Sequence, residues 1–133
     1  MTERARRAPL WVQLPTLHLL HDRQVELFGG AHGILTESLL LSALHRPVDK
    51  WLYDDARIPG CTAAYLWGLV HAHGYVDGNK RTALMAALAF LFANGKRIDV
   101  PHSELFALAL ATARKEISER QIAEWFKRKV RKR

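Results

Sequence analysis

The sequence predicts an all-α protein of about six helices. Three observations carry that reading. Apolar residues recur at helical spacing along most of the 133 residues. Gly29-Gly30, Pro47 and Asn94-Gly95 read as helix stops. No stretch of β-prone residues is long enough to build a sheet.

The first helix is expected from about Pro15 to Phe28. A proline suits a first helical position because its missing N–H would lack an intrahelical partner there anyway. Leu17, Leu20, Val25 and Phe28 approximate one apolar face. The second helix begins at Thr36, an N-cap residue type, carries Leu39, Leu40 and Leu44 inward, and is expected to end at Pro47. Residues 48–60 mix Asp49, Lys50, Asp54, Asp55, Arg57, Pro59 and Gly60 with Trp51, Leu52, Tyr53 and Ile58. They read as a polar connector with β-prone islands, either a short β-like flap or a plain surface loop.

The third helix, about Cys61 to His73, and the fourth, about Asn79 to Ala93, are apolar on most sides. Helices of that kind sit at the centre of a protein. A short loop joins them, so they form a buried hairpin whose loop lies at one end of the core. Ile98 and Val100 suggest a short strand. A fifth helix follows from about Ser103 to Lys115, and a sixth opens on Ser118 with Gln121 three residues on, a capping-box pattern.

Composition narrows the function classes. The length suits one domain spanning 1–133. With Cys61 alone, neither an internal disulfide nor a cysteine metal cage can form, which fits a reducing compartment such as a bacterial cytoplasm. Cys61 precedes an apolar run and reads as a packed small residue rather than a nucleophile. The longest apolar run, Ala83 to Ala93, is 11 residues, too short to cross a bilayer. The net charge of +7 resides at the ends: they hold nine of the 20 basic residues, leaving 11 against 12 acidic ones in 8–126. Basic ends at 1–10 and 127–133 read as flexible and solvated, with contact to an acidic partner or nucleic acid as the alternative.

The chemistry is concentrated in His73-Gly74-Tyr75-Val76-Asp77-Gly78-Asn79-Lys80-Arg81. Gly78-Asn79-Lys80 open a helix whose first N–H groups lack internal partners and favour an anion. Lys80 and Arg81 add positive charge in the same turn, the arginine with a fork that can grip two phosphate oxygens. Asp77 beside a phosphate calls for an intervening cation, and Mg²⁺ is the usual one. His73 can take a proton from an attacking hydroxyl near neutral pH. Together these are the parts of phosphoryl-type transfer. Singly, His73 could merely pair with a helix dipole and Asp77 could be an ordinary cap. His71, His73 and Asp77 match no common zinc spacing.

The string resembles the Fic/Doc signature His-x-Phe-x-Asp/Glu-Gly/Ala-Asn-Gly/Lys-Arg, matched here by His73, Asp77, Gly78, Asn79 and Arg81. Tyr75 replaces the usual Phe, and Gly74 stands where Pro is frequent. Lys80, where adenylyltransferases of the family have a second Gly, and Leu84, where they have a second Arg, look like the death-on-curing (Doc) toxin branch of type II toxin-antitoxin systems. Leu20-His21-Asp22, Gly29-Gly30 with Gly33, and Ser42-Ala43-Leu44 before Pro47 follow in Doc-like order.

That resemblance implies a Fic/Doc helical bundle and a kinase that passes the γ-phosphate of ATP to a protein hydroxyl. The target class is elongation factor Tu, whose phosphorylation halts translation. It assigns His73 as general base, Asp77 as Mg²⁺ ligand, and Gly78, Asn79, Lys80 and Arg81 as phosphate holders. Residues 48–60 would take the place of the family's target-positioning flap. Thr112 and Glu116 have the spacing of the family's inhibitory helix, but Ile117 breaks the pattern. Inhibition is then expected from a separate antitoxin. Transfer of AMP and an inactive binding domain are the alternatives.

Overall fold

A computed structural model describes residues 7–133, and the reading of 1–6 as part of a flexible basic end lies outside the described residues. Six helices and two short strands follow one another: α1 (Leu14–Phe28), α2 (Glu37–Tyr53), α3 (Ile58–Ala72), α4 (Asn79–Ala93), β1 (Lys96–Ile98), α5 (His102–Ala113), α6 (Glu119–Lys129) and β2 (Val130–Lys132). The protein is all-α, with one small antiparallel ribbon of β1 against β2.

α3 is the axle. It packs against α2, α4, α5 and α6, and α4 in turn packs against α1 and α5. Cys61 through Leu66 are all buried, followed by Leu69 and Val70. Phe90 and Leu91 of α4, Ile122 and Phe126 of α6 and Leu17 of α1 close around them. Such burial follows from helices apolar on nearly every side, which have no face to offer to water. Cys61 is buried, as its packed-residue reading expected, with Sγ 3.6 Å from Pro47 O. No described helix is long and apolar enough to cross a membrane.

Several expectations need correction. Pro47 does not end α2; it lies inside that helix, buried. An internal proline leaves the carbonyl four residues earlier, here Ala43, without its helical amide and costs about 3 kcal/mol. That carbonyl faces Gly68 of α3, where an added Cβ would stand 3.5 Å from it. Burial of Leu40, Ala43, Leu44 and Pro47 against α3 offsets the cost. The segment 48–60 is therefore no β-like flap. α2 runs on to Tyr53 because its charges sit at helical spacing: Lys50 reaches Asp54 at 3.5 Å, and also Glu119 of α6 at 3.8 Å. Trp51 turns inward, edge-on to Trp11 with ring centroids 6.3 Å apart. A turn through Asp55, at φ 53°, leads directly into α3.

The basic tail is not a free end either. α6 continues to Lys129, and β2 pairs Val130 with Ile98, Arg131 with Arg97 and Lys132 with Lys96. Like charges opposed across a ribbon are unfavourable. The pairing survives because Val130 and Ile98 both pack on the core. Arg133 fastens the end: its N–H donates to Gly95 O, and its guanidinium donates to Phe92 O while lying 4.1 Å over the Phe92 ring. At the other end, Asn94 clamps Leu10, accepting its N–H at 2.8 Å and donating to its carbonyl at 3.0 Å. Phe28 and Leu39, both read as inward, are 52% and 46% exposed.

Other elements form where the sequence places them. α4 spans Asn79–Ala93, and the Ser118/Gln121 capping box closes with bonds of 2.9 and 3.1 Å. The strand anticipated at Ile98 and Val100 is shifted back to Lys96–Ile98. α3 begins earlier than expected, at Ile58, because Pro59 occupies one of its first positions.

Two measurements check this packing. Tyr65 is fully buried, and its hydroxyl accepts the Val12 N–H at 2.9 Å. Burial pushes the phenol from 10 to about 12, only partly opposed by that hydrogen bond. A pKa raised in the fold leaves the ring's contribution intact below pH 10 and removes it as pH climbs toward 12. Urea midpoints measured across that window should fall, and Tyr65→Phe should flatten the fall. The second concerns Gly74, buried where α3 ends: an added Cβ would stand 2.4 Å from Leu40 Cδ2. Gly74→Ala should cost about 1–3 kcal/mol of stability, and a double-mutant cycle with Leu40→Ala should be strongly non-additive.

Candidate active site

The loop between α3 and α4 is built around one carboxamide. Asn79 accepts the Tyr75 N–H on Oδ1 at 3.1 Å and donates from Nδ2 to Tyr75 O at 2.9 Å. This doubled bond closes 75–79 into a tight ring. Gly78 takes the left-handed conformation, φ 79° and ψ 16°, that brings the chain into α4. No side chain caps α4, so its leading N–H groups stay open. The Asn79 side chain is thus occupied by the loop, and what Asn79 presents to an anion is its backbone N–H.

α1 supports the loop from below. His21 is 2% exposed and donates from Nε2 to Asp77 O at 2.7 Å. Its ring stacks on Tyr75 at 3.7 Å and 5°. The Tyr75 hydroxyl shares a 2.8 Å hydrogen bond with Nδ1 of His18. Burial, followed by the charges of Asp22 and Glu37, holds the Tyr75 phenol well above its usual range, so it stays protonated. The Tyr at this position therefore packs like a Phe and adds a polar tether.

Segment 29–36, between α1 and α2, wraps the loop from the side. Leu35 and Thr36 donate their N–H groups to Gly74 O, and Val76 donates to Gly33 O. Ile34 and Tyr75 form an antiparallel bridge. Ala31 N–H donates to Asp77 Oδ2 at 2.9 Å. The two chains approach closely enough that a Cβ at Gly30 would stand 3.2 Å from Asp77 Cβ, and one at Gly33 3.1 Å from Val76 Cγ2. Strand-like pairing beside the loop therefore belongs to 29–36, not to 48–60. The glycines at 29, 30 and 33 were its only sequence signal.

A cleft of about 330 Å³ opens over the start of α4. Asp77, Gly78, Asn79, Lys80 and Arg81 line it together with Gln24, Phe28, Gly29, Gly30 and Phe106. Arg81 is held between two aromatic rings, 4.0 Å from the Phe28 centroid and 4.2 Å from that of Phe106. A guanidinium stacked in this way keeps its N–H edge free for an oxyanion. Lys80 is exposed at the rim. Asp77 is the one carboxylate on the wall among the described residues. Its Oδ2 is engaged by Ala31, while Oδ1 accepts no hydrogen bond within the described chain, which suits a Mg²⁺ ion shared with phosphate oxygens.

His73 stands at the opposite end of the loop. It caps α3 in the left-handed conformation, φ 49° and ψ 43°, and is exposed. It is not on the wall of the cleft over α4. His71 turns away, donating from Nδ1 to Trp67 O at 2.9 Å and packing on the Trp67 ring. Leu84, one turn into α4, is buried in the core and presents nothing to the cleft. The sequence marks the loop residues as the site. It shows His21 only within Leu20-His21-Asp22 and Phe28 only as part of an apolar face, and nothing in it singles out Gln24 of α1 or Phe106 of α5.

Comparison with known proteins shows the family. The family model described as "Fic/DOC family" matches residues 11–91, more than half the chain, from α1 through most of α4. The chain is 32% identical over 111 residues to "Protein kinase doc" of Escherichia phage P1, covering 82% of this chain and 86% of that protein. It is 38% identical over 91 residues to "Toxin Doc" of Mycolicibacterium smegmatis, covering 64% of this chain and 70% of that protein. An uncapped α4 start beside a histidine-ended α3, matched by the family over the same residues, makes this chain a member of the Fic/DOC family.

Proposed function

We propose that this protein is a Doc-type toxin that transfers the γ-phosphate of ATP to a hydroxyl group of a protein. The observation that carries the reading is the cleft over α4, where open helix N–H groups, Lys80 and the ring-clamped Arg81 converge beside Asp77. Such a site neutralises the charge that builds on a transferring phosphoryl group. The relative named a protein kinase supports the same class.

In this reading Gly78, Asn79 and Lys80 offer main-chain N–H groups to the phosphate, and Gly78 leaves room for its close approach. Lys80 and Arg81 add charge, and Arg81 orients two oxygens at once. Mg²⁺, held by Asp77, would draw charge from the phosphate oxygens. His73 takes the proton of the attacking hydroxyl as its oxygen bonds to phosphorus; the bond from phosphorus to the bridging oxygen breaks, and ADP leaves. The exposure of His73 lets a protein substrate reach it. Burial of Leu84 leaves α4 with no second guanidinium where AMP-transferring members of the family carry one, which favours phosphate transfer. An elongation factor of the Tu class, with arrested translation, is the proposed target, a cognate antitoxin the proposed inhibitor, and the bacterial cytoplasm the proposed site of action.

Two experiments test this. Intact mass of a purified elongation factor Tu after incubation with the protein, ATP and Mg²⁺ should rise by one phosphate; a gain of one AMP would overturn the kinase reading. His73→Ala should lower that transfer by about 10²- to 10⁴-fold, and Asp77→Asn should make it far less responsive to added Mg²⁺. Separately, Arg81→Lys keeps the charge but loses the fork and the stacking. It should reduce transfer about 10- to 100-fold with little change in melting temperature.

A further inference from the structure

We propose that Gln24 is a further ligand-contacting residue, whose carboxamide donates to the phosphate oxygens held at the start of α4. The proposal deepens the functional reading above and rests on it for the identity of the anion.

Gln24 is 6% exposed, on the face of α1 that meets α4. Buried polar side chains nearly always find a partner. Gln24 finds none among the described residues: no hydrogen bond, ion pair or ring contact involves its side chain. Yet it is one of the walls of the cleft. Among the described residues the sealed polar atoms without a partner are Thr82 Oγ1 and His71 Nε2, and neither residue lines the cleft. The Gln24 amide is not sealed in this way, and the cleft is the open space it borders.

Its neighbours are committed elsewhere. One turn earlier, His21 is spent on Asp77 O. Val25 packs toward Gly78, where an added Cβ would stand 3.7 Å from Val25 Cγ2. One turn later, Phe28 lies under Arg81. Gln24 therefore brings an amide with no protein partner to the wall of a cleft that also holds the open α4 start, Lys80 and Arg81. A carboxamide brings two N–H donors with no charge. It can add a hydrogen bond to an oxyanion without further crowding the cations of Lys80 and Arg81. The ligand class is a polyphosphate terminus, free or carried by a nucleotide.

The test uses the full chain, Gln24→Met and Gln24→Glu, with inorganic pyrophosphate as probe in the presence of Mg²⁺, since Asp77 shares the cleft. Titration calorimetry should show pyrophosphate binding weakened about 10-fold in Gln24→Met and about 100-fold in Gln24→Glu, the range for charge-assisted hydrogen bonds and their reversal. The melting temperature of ligand-free Gln24→Met should equal or exceed that of the parent, since no protein hydrogen bond is lost. A residue serving only structure would show the reverse: a lower melting temperature and unchanged pyrophosphate affinity, and that result overturns the proposal. So does a parent protein that binds no pyrophosphate. Phosphate transfer from ATP with pyrophosphate binding indifferent to residue 24 would sink the role of Gln24 and leave the kinase reading standing. Pyrophosphate binding that depends on Gln24, in a protein that transfers nothing from ATP, would do the opposite.

Discussion

The closed ring between Asn79 and Tyr75 governs how α4 begins. The Asn79 side chain is spent on the preceding loop, and the N-cap position is Gly78, which has no side chain to offer. The helix is left with open N–H groups facing the cleft. The open start is tolerable because α3 and α4, on either side of the loop, are buried along much of their length.

α1 gives that loop a floor. Its buried face is unusual in carrying His21 and Gln24 beside Leu17 and Val25. Two of these four residues are polar, and the helix still packs because His21 has a defined acceptor and a stacked ring. The same helix ends at Phe28, under Arg81. One element thus touches the loop at its carbonyl, the cleft at its wall and the arginine at its flank. Segment 29–36 then continues from α1 to pair with the loop from outside.

Much of this was legible in the sequence, for identifiable reasons. The boundaries of α4 could be read because Gly78 and Asn94-Gly95 bracket a segment that ends in the apolar run Ala83 to Ala93. The motif residues fall in one short stretch, so local reading sufficed to gather them. What escaped was non-local. Pro47 looks like a stop, and the helix continues because its buried face packs on α3, where the freed Ala43 carbonyl lies against Gly68. The polar stretch after it reads as a flap because charges ordinarily seek solvent, whereas Lys50 bridges to both Asp54 and Glu119. The basic tail looked free because its strand partner is three residues long and lies more than 30 residues away. Phe28 was counted as core because periodicity records apolar character and not what lies above it.

The placement of Arg81 between Phe28 and Phe106 has a consequence for how binding strength can vary. An arginine loses roughly 2 kcal/mol of rotamer freedom when it is fixed. Here much of that order exists before any anion arrives, supplied by two rings that need never touch the anion. One ring comes from the end of α1 and the other from α5, beyond the stretch that the family match covers. Affinity in this fold can therefore drift through exchanges at a distant aromatic position, with every motif residue unchanged and the formal charge of the cleft the same.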